Sequence, residues 1–300
     1  MTIAKVVSTS LDNLGRKGTR QDNELTAIDG IIFSTSDFAP TIADLATEST
    51  WTDGIKEKTV FPLPGLDSYE DQSSEDVMYE APSGNRKMLR RGKTRYMFQW
   101  DIPFSVHRSL QSYNNADLRI WIIRDGKICF YNDGGTARGF SINMFNTGRM
   151  KEVPADGSTP AFTPVYIDLA NYREWDIYGE ILEPSWEPAD LEPLIDVTLE
   201  ATTQTDASIV VKVYSADGYD EDGAVKEVAI KGIAEADFVL TDVGSLNAES
   251  GFVDNGDGTY TFTPAITFSS GSINLADPDD MTSTGLLIQS TGAVTITIGT

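Results

Sequence analysis

The clearest pattern in the chain is at Tyr96, Phe98, Trp100 and Ile102, which alternate with Met97, Gln99 and Asp101. A period of two places the four large side chains on one buried face of a strand. Pro103 ends that strand. Val106, Leu110 and Tyr113 then recur at i, i+4 and i+7, which predicts a short amphipathic helix with Ser105 as its N-cap. In RIWIIRDGKICFYND, Asp125-Gly126 separates two apolar runs and predicts a two-residue hairpin turn with positive φ at both positions. Further strands are expected at Gly139 to Phe145, Val165 to Leu169 and Trp175 to Leu182. Residues 1 to 60 hold one dense apolar run, GIIF, and read as arms that pack on neighbours.

The C-terminal part is a series of short Val, Ile, Thr and Phe-rich segments: SIVVKVYS, AVKEVAIKG, ADFVLT, GTYTFTP, GLLIQS and AVTITIGT. Gly and Asp turns between them predict a sandwich of about 100 residues without helices. LEPSWEPADLEPL carries Pro184, Pro188 and Pro193 among acidic residues, the composition of a semi-rigid linker. Two domains follow, residues 1 to 190 and 191 to 300. The expected fold class is mainly β: an N-terminal antiparallel sandwich or barrel with one short helix, then a C-terminal sandwich.

Charge changes the picture. The 46 Asp and Glu outnumber the 23 Lys and Arg, a formal net charge of -23 that disfavours tight binding to nucleic acid or to an anionic membrane. Residues 1 to 196 hold 20 basic and 30 acidic side chains, and residues 197 to 300 hold 3 and 16. The single cysteine, Cys129, lies in an apolar run and reads as a core thiol, so no intramolecular disulfide can form. The N-terminus lacks the apolar run of a secretory signal and no segment has the length of a membrane span, which reads as a chain made in the cytosol.

Candidate catalytic chemistry is sparse. His107 is the only histidine and has no Ser or Cys nucleophile at triad-like spacing, so it reads as a packing or surface residue. There is no Gly-rich phosphate loop and no His or Cys cluster, and Asp279-Asp280 reads as a solvated turn. No catalytic residue, cofactor or metal is expected. Two acidic turns, Asp217 to Gly223 and Asp254 to Thr259, have the oxygen ligands and glycines of calcium loops without the full twelve-residue pattern, and read as tight hairpin turns.

One segment departs from the overall balance. Asp67, Glu70, Asp71, Glu75, Asp76 and Glu80 form an acidic arm, APSGN supplies turn residues, and Arg86, Lys87, Arg90, Arg91, Lys93 and Arg95 form a basic arm. Three readings stand side by side. The arms pair their charges in an intramolecular hairpin, or the basic arm meets acids of a neighbouring subunit, or it contacts nucleic acid.

GFVDNGDGTYTFTP, Gly251 to Pro264, resembles the strand-turn-strand signature of bacterial Ig-like (invasin-type) domains. The preceding domain, with its N-terminal arm, charged hairpin, strand into short helix and DG hairpin, looks like the tube domain of tailed-phage major tail proteins. The resemblance implies an Ig-like C-terminal sandwich projecting outward from hexameric rings. The rings would stack into a tube whose anionic lumen lets DNA pass without specific binding. The implied partners are the chain itself and other virion tail proteins, assembled in the host cytoplasm. Alternatives are a virion decoration or adhesion module binding glycan or a cell surface, and a head-tail connector or terminator that uses the basic arm on phosphates. An enzyme is the most distant.

Overall fold

A computed structural model of the chain describes residues 3–5, 27–152, 161–205, 208–219, 222, 224–242, 249–264, 270–283 and 285–297. The chain divides into two compact units, Met1–Pro193 and Leu194–Thr300. Both are mainly β, with antiparallel pairing dominant.

In the first unit the principal sheet runs through β1 (Ile3–Lys5), β13 (Gly179–Leu182), β9 (Lys127–Asp133), β8 (Arg119–Arg124), β11 (Phe140–Thr147), β12 (Thr163–Leu169), β7 (Arg95–Trp100) and β4 (Leu66–Asp71). Beside it, β2 (Gly30–Ser34) pairs with β8, β3 (Val60–Leu63) with β2, and β10 (Thr136–Arg138) with β9. β11 turns a corner. Phe140 and Ser141 pair with β8, whereas Ile142 to Thr147 pair with β12 across an irregularity at Ile142/Met144. The faces so brought together enclose Phe33, Phe98, Trp100, Ile120, Ile122, Cys129, Phe145, Val165 and Ile167.

The alternation around Phe98 forms β7, with Tyr96, Phe98 and Trp100 buried on one face. Asp125 and Gly126 take φ values of 53° and 67° and close the β8–β9 hairpin, as the turn chemistry requires. The expected single helix is one of several. α1 (Ile42–Leu45), α2 (Glu48–Lys56), α3 (Phe104–Leu110) and α4 (Tyr172–Asp176) are all present. α3 starts two residues earlier than expected, with Pro103 rather than Ser105 in the N-cap position. The strand expected from Trp175 begins only at Gly179, because Trp175 lies in the single turn of α4, where its ring packs edge-on against Phe140 at 4.8 Å.

Residues 28 to 63 pack into the first unit rather than forming arms, with Ile31, Phe33, Leu45, Trp51, Ile55 and Val60 buried. β2 and β8 are buried on both faces, which is why their sequences are continuous apolar runs rather than alternating ones. α2 covers the face opposite the main core. Trp51 is fully buried there, 5.0 Å from Trp121 and 5.2 Å from Phe38, and its indole N–H donates to the Leu45 carbonyl at 2.9 Å. Residues 6 to 26, the remainder of the expected arm, lie outside the described residues.

Among the described residues the second unit forms two sheets. One runs β18 (Glu249–Asp254), β19 (Thr259–Pro264), β15 (Ser208–Tyr219), β14 (Ile195–Thr205) and β21 (Ile288–Ser290), with β16 (Val225–Ala229) on β15; the other is β17 (Phe238–Asp242), β20 (Ser270–Leu275) and β22 (Val294–Thr297). Their side chains share one core around Val197, Val211, Tyr260, Phe262, Ile273 and Ile296. Phe238 lies 5.1 Å from both Tyr260 and Phe262. β14 and β20 are strands that the pattern of apolar positions did not indicate. β14 pairs along almost its whole length with β15, yet only Val197 and Leu199 in it are buried.

Candidate functional site

The charged segment is a hairpin that grows out of the principal sheet. β4 is an edge strand paired with β7, so Asp67, Glu70 and Asp71 line a sheet edge. Charge on such an edge discourages indiscriminate strand addition. The pairing continues beyond the sheet. Gln72 N donates to Arg95 O at 2.9 Å, Ser74 N to Lys93 O at 3.0 Å, and Lys93 N to Ser74 Oγ at 2.8 Å. Gly92 N donates to Asp76 Oδ1 at 2.7 Å. A Cβ at Gly92 would stand 1.7 Å from the Ser74 carbonyl oxygen, so only glycine lets the two arms cross this closely.

Past this clamp, β5 (Val77–Glu80) and β6 (Arg86–Arg90) form a separate two-stranded ribbon. The APSGN turn closes it through Ala81 N to Asn85 O at 2.8 Å, with Gly84 at φ 80°. Every residue of β5 and β6 is exposed. A two-stranded ribbon is marginal by itself in water, so it needs cover or a well-held root.

The arms are adjacent, as an intramolecular hairpin requires, but their charges hardly pair with each other. Glu80 and Arg86 make the one cross-arm ion pair among the described residues, at 2.9 Å and with both side chains more than half exposed. Exposed pairs of this kind contribute little to stability. Asp71 accepts from Ser73 N and Glu70 from the Gln72 amide, which shapes the strand end rather than neutralising the basic arm. Asp67 and Glu75 are exposed.

Two of the basic residues turn back onto their own domain. Arg95 grips Asp168 of β12 through two nitrogens, at 2.5 and 2.8 Å, and Asp168 is 3 % exposed. The hydrogen bond to Asp168 and its charge hold the Arg95 guanidinium above its ordinary pKa. Arg91 binds Asp176 of α4 and stacks over the Tyr172 ring at 5.1 Å. Arg95 is thus a structural residue of the sheet, and Arg91 anchors the hairpin root. Lys87, Arg90 and Lys93 make no ion pair among the described residues.

Attention to charge alone passes over the apolar half of this ribbon. Val77, Met78, Tyr79, Met88 and Leu89 are 41 to 63 % exposed. Five large hydrophobics gathered on one ribbon differ from the scattered exposed residues of an ordinary surface. VMY and ML, set inside runs of charge, are the signal in the sequence.

The other candidates are absorbed by structure. His107 is buried, with Nδ1 3.1 Å from Thr163 Oγ1 and Nε2 3.1 Å from the Gln111 amide, so it ties α3 to β12. In the turn from Asp254 to Thr259 the carboxylates bind the chain itself. Asp254 accepts from Gly256 N at 2.8 Å, and Asp257 accepts from Thr259 N at 2.9 Å and from its hydroxyl at 2.6 Å, contacts that lower the Asp257 pKa. Within the Asp217 to Gly223 turn, Asp220, Glu221 and Gly223 lie outside the described residues. Among the described residues no group of three or more His, Cys, Asp and Glu is placed to hold a metal, and no helix is long and apolar enough to cross a membrane. The chain matches no protein-family model, and a search of curated proteins likewise finds no match.

Proposed function

We propose that this chain is a structural subunit that assembles with copies of itself through the hairpin of β5 and β6. In the specific form we favour, it is the major subunit of a phage tail tube, forming stacked hexameric rings within a virion. The ribbon carries the proposal. It is exposed on both faces, five of its large side chains are apolar, and its basic residues belong to a chain of net charge -23. A second copy supplies both the apolar cover and the acidic surface that such a ribbon needs.

The acidic balance suits a conduit for DNA, since each neutralised phosphate adds affinity and slows passage. DNA in this reading passes without being bound, and the C-terminal domain is an outward appendage of the tube. No reaction is assigned to the chain.

Negative-stain electron microscopy of the purified full chain at low and high salt, with no partner added, tests the proposal. Stacked rings with a central channel are the expected result. A single closed ring that never stacks points instead to a connector. Monodisperse monomers at every salt and protein concentration overturn self-assembly and favour a decoration or adhesion module.

A further inference from the structure

The hairpin root encloses a cleft of about 350 Å³ that the exposed ribbon does not explain. Ser74, Arg90, Arg91, Lys93, Thr94 and Tyr172 contribute its polar lining, over a floor that includes the buried Leu169. Three basic residues therefore border one space. Only Arg91 has an acidic partner, Asp176, while Arg90 and Lys93 form no ion pair among the described residues. Like charges held together in a concave site repel one another and concentrate positive potential in it. The site is also fixed. Gly92 packs against the Ser74 carbonyl, Lys93 is hydrogen-bonded through both its backbone groups to Ser74, and Arg91 is pinned between Asp176 and the Tyr172 ring. Arginine and lysine around hydroxyl donors is the chemistry that receives oxyanions.

We infer that this cleft is a carboxylate receptor, and that its occupant is an acidic segment on a second copy of this chain. Charge complementarity selects that occupant. The subunit carries 46 Asp and Glu against 23 Lys and Arg, so carboxylates dominate the surface another copy offers. This inference rests on the self-assembly reading and refines it. The ribbon supplies apolar area, while the cleft supplies register, because one or two carboxylates must enter a defined space between Arg90 and Lys93.

The test uses the full chain with a hexaglutamate peptide as probe, titrated by calorimetry at about 0.05 M and about 0.5 M salt. The variants are Arg90→Glu/Lys93→Glu and a control with the same charge change elsewhere on the first unit, Lys58→Glu/Lys151→Glu, at residues that are all exposed. Sedimentation of each protein without peptide reports self-association. Circular dichroism confirms that all three are folded. The expected result is peptide binding by the parent that weakens with salt, falls by about tenfold or more in the cleft variant and stays within about twofold in the control.

The same order should hold for self-association. No peptide binding by the parent, or equal loss in both variants, overturns the receptor. Self-association that persists unchanged in the cleft variant removes the second copy as occupant while leaving assembly through the ribbon intact. Peptide binding lost only in the cleft variant, in a chain that stays monomeric, supports the receptor and overturns the self-assembly reading, leaving an acidic segment of another protein as the occupant.

Discussion

Replacing Met88 and Leu89 together by serine removes apolar surface that the subunit itself leaves uncovered. Fully burying a Leu or Met side chain contributes roughly 1.5–3 kcal/mol. Leu89 is 63 % and Met88 49 % exposed, so a neighbour that covers both can gain about two thirds of that range from Leu89 and about half of it from Met88, about 2–3 kcal/mol together. At about 1.4 kcal/mol per factor of ten, the double variant should associate about 30- to 150-fold more weakly. The subunit's own stability should not change, because neither residue belongs to a buried core cluster. Sedimentation velocity over a concentration series measures the first quantity, and thermal unfolding by circular dichroism measures the second. An association constant within about threefold of the parent would refute burial of the ribbon in the assembly. A thermal midpoint lowered by several degrees would refute the claim that the ribbon is independent of the core.

Three other outcomes follow from the geometry. Arg95→Met strands the buried carboxylate of Asp168, so it should lower the thermal midpoint by several degrees, unlike the serine replacements in the ribbon; an unchanged midpoint would show that the pair is not structural. In the second unit Asp237 is fully buried, and its two carboxylate oxygens accept from the backbone N–H and hydroxyl of Thr282 and of Ser283. Burial pushes its pKa up, but the hydrogen bonds outweigh this and hold it below the ordinary aspartate value of 3.8. A depressed pKa contributes stability that is full above the unfolded-state value near 4 and is lost as pH falls through the folded-state value. Asp237→Ala should therefore cost about 1–3 kcal/mol at neutral pH and reduce the acid dependence of unfolding below about pH 4, measured by calorimetry of the full chain. Cys129 is buried, and burial pushes its thiol up to about 12, so a thiol reagent at neutral pH should label it only as fast as the protein opens.

Much of the candidate site is legible because charge blocks and turn residues are local signals. The two arms, the APSGN turn and the exposure of the ribbon all lie within residues 66 to 95, and strand pairing across a short turn needs no distant information. The partners of the basic arm are another matter. Arg91 meets Asp176 and Arg95 meets Asp168 across separations of 85 and 73 residues, and Tyr172 reaches the cleft from the same distant segment. Nothing in the spacing of the basic residues says which will be held by their own domain and which will form no ion pair among the described residues.

The sequence by itself determined the period of β7, the Asp125-Gly126 turn, the mainly β class and the separation of charge into arms, because alternation, positive φ and charge density are properties of neighbouring residues. Tertiary structure decided what α2 is. Glu48 to Lys56 has few apolar positions and gains a reason to be helical only when Trp51 is buried between Phe38 and Trp121. It likewise decided that residues 28 to 63 pack into the first unit and that β14 is a strand, since backbone pairing with β15 can hold a strand whose own side chains are mostly exposed. It decided, finally, which cations of the hairpin are satisfied. That depends on where distant carboxylates lie once the sheet has closed, and only folding brings them there.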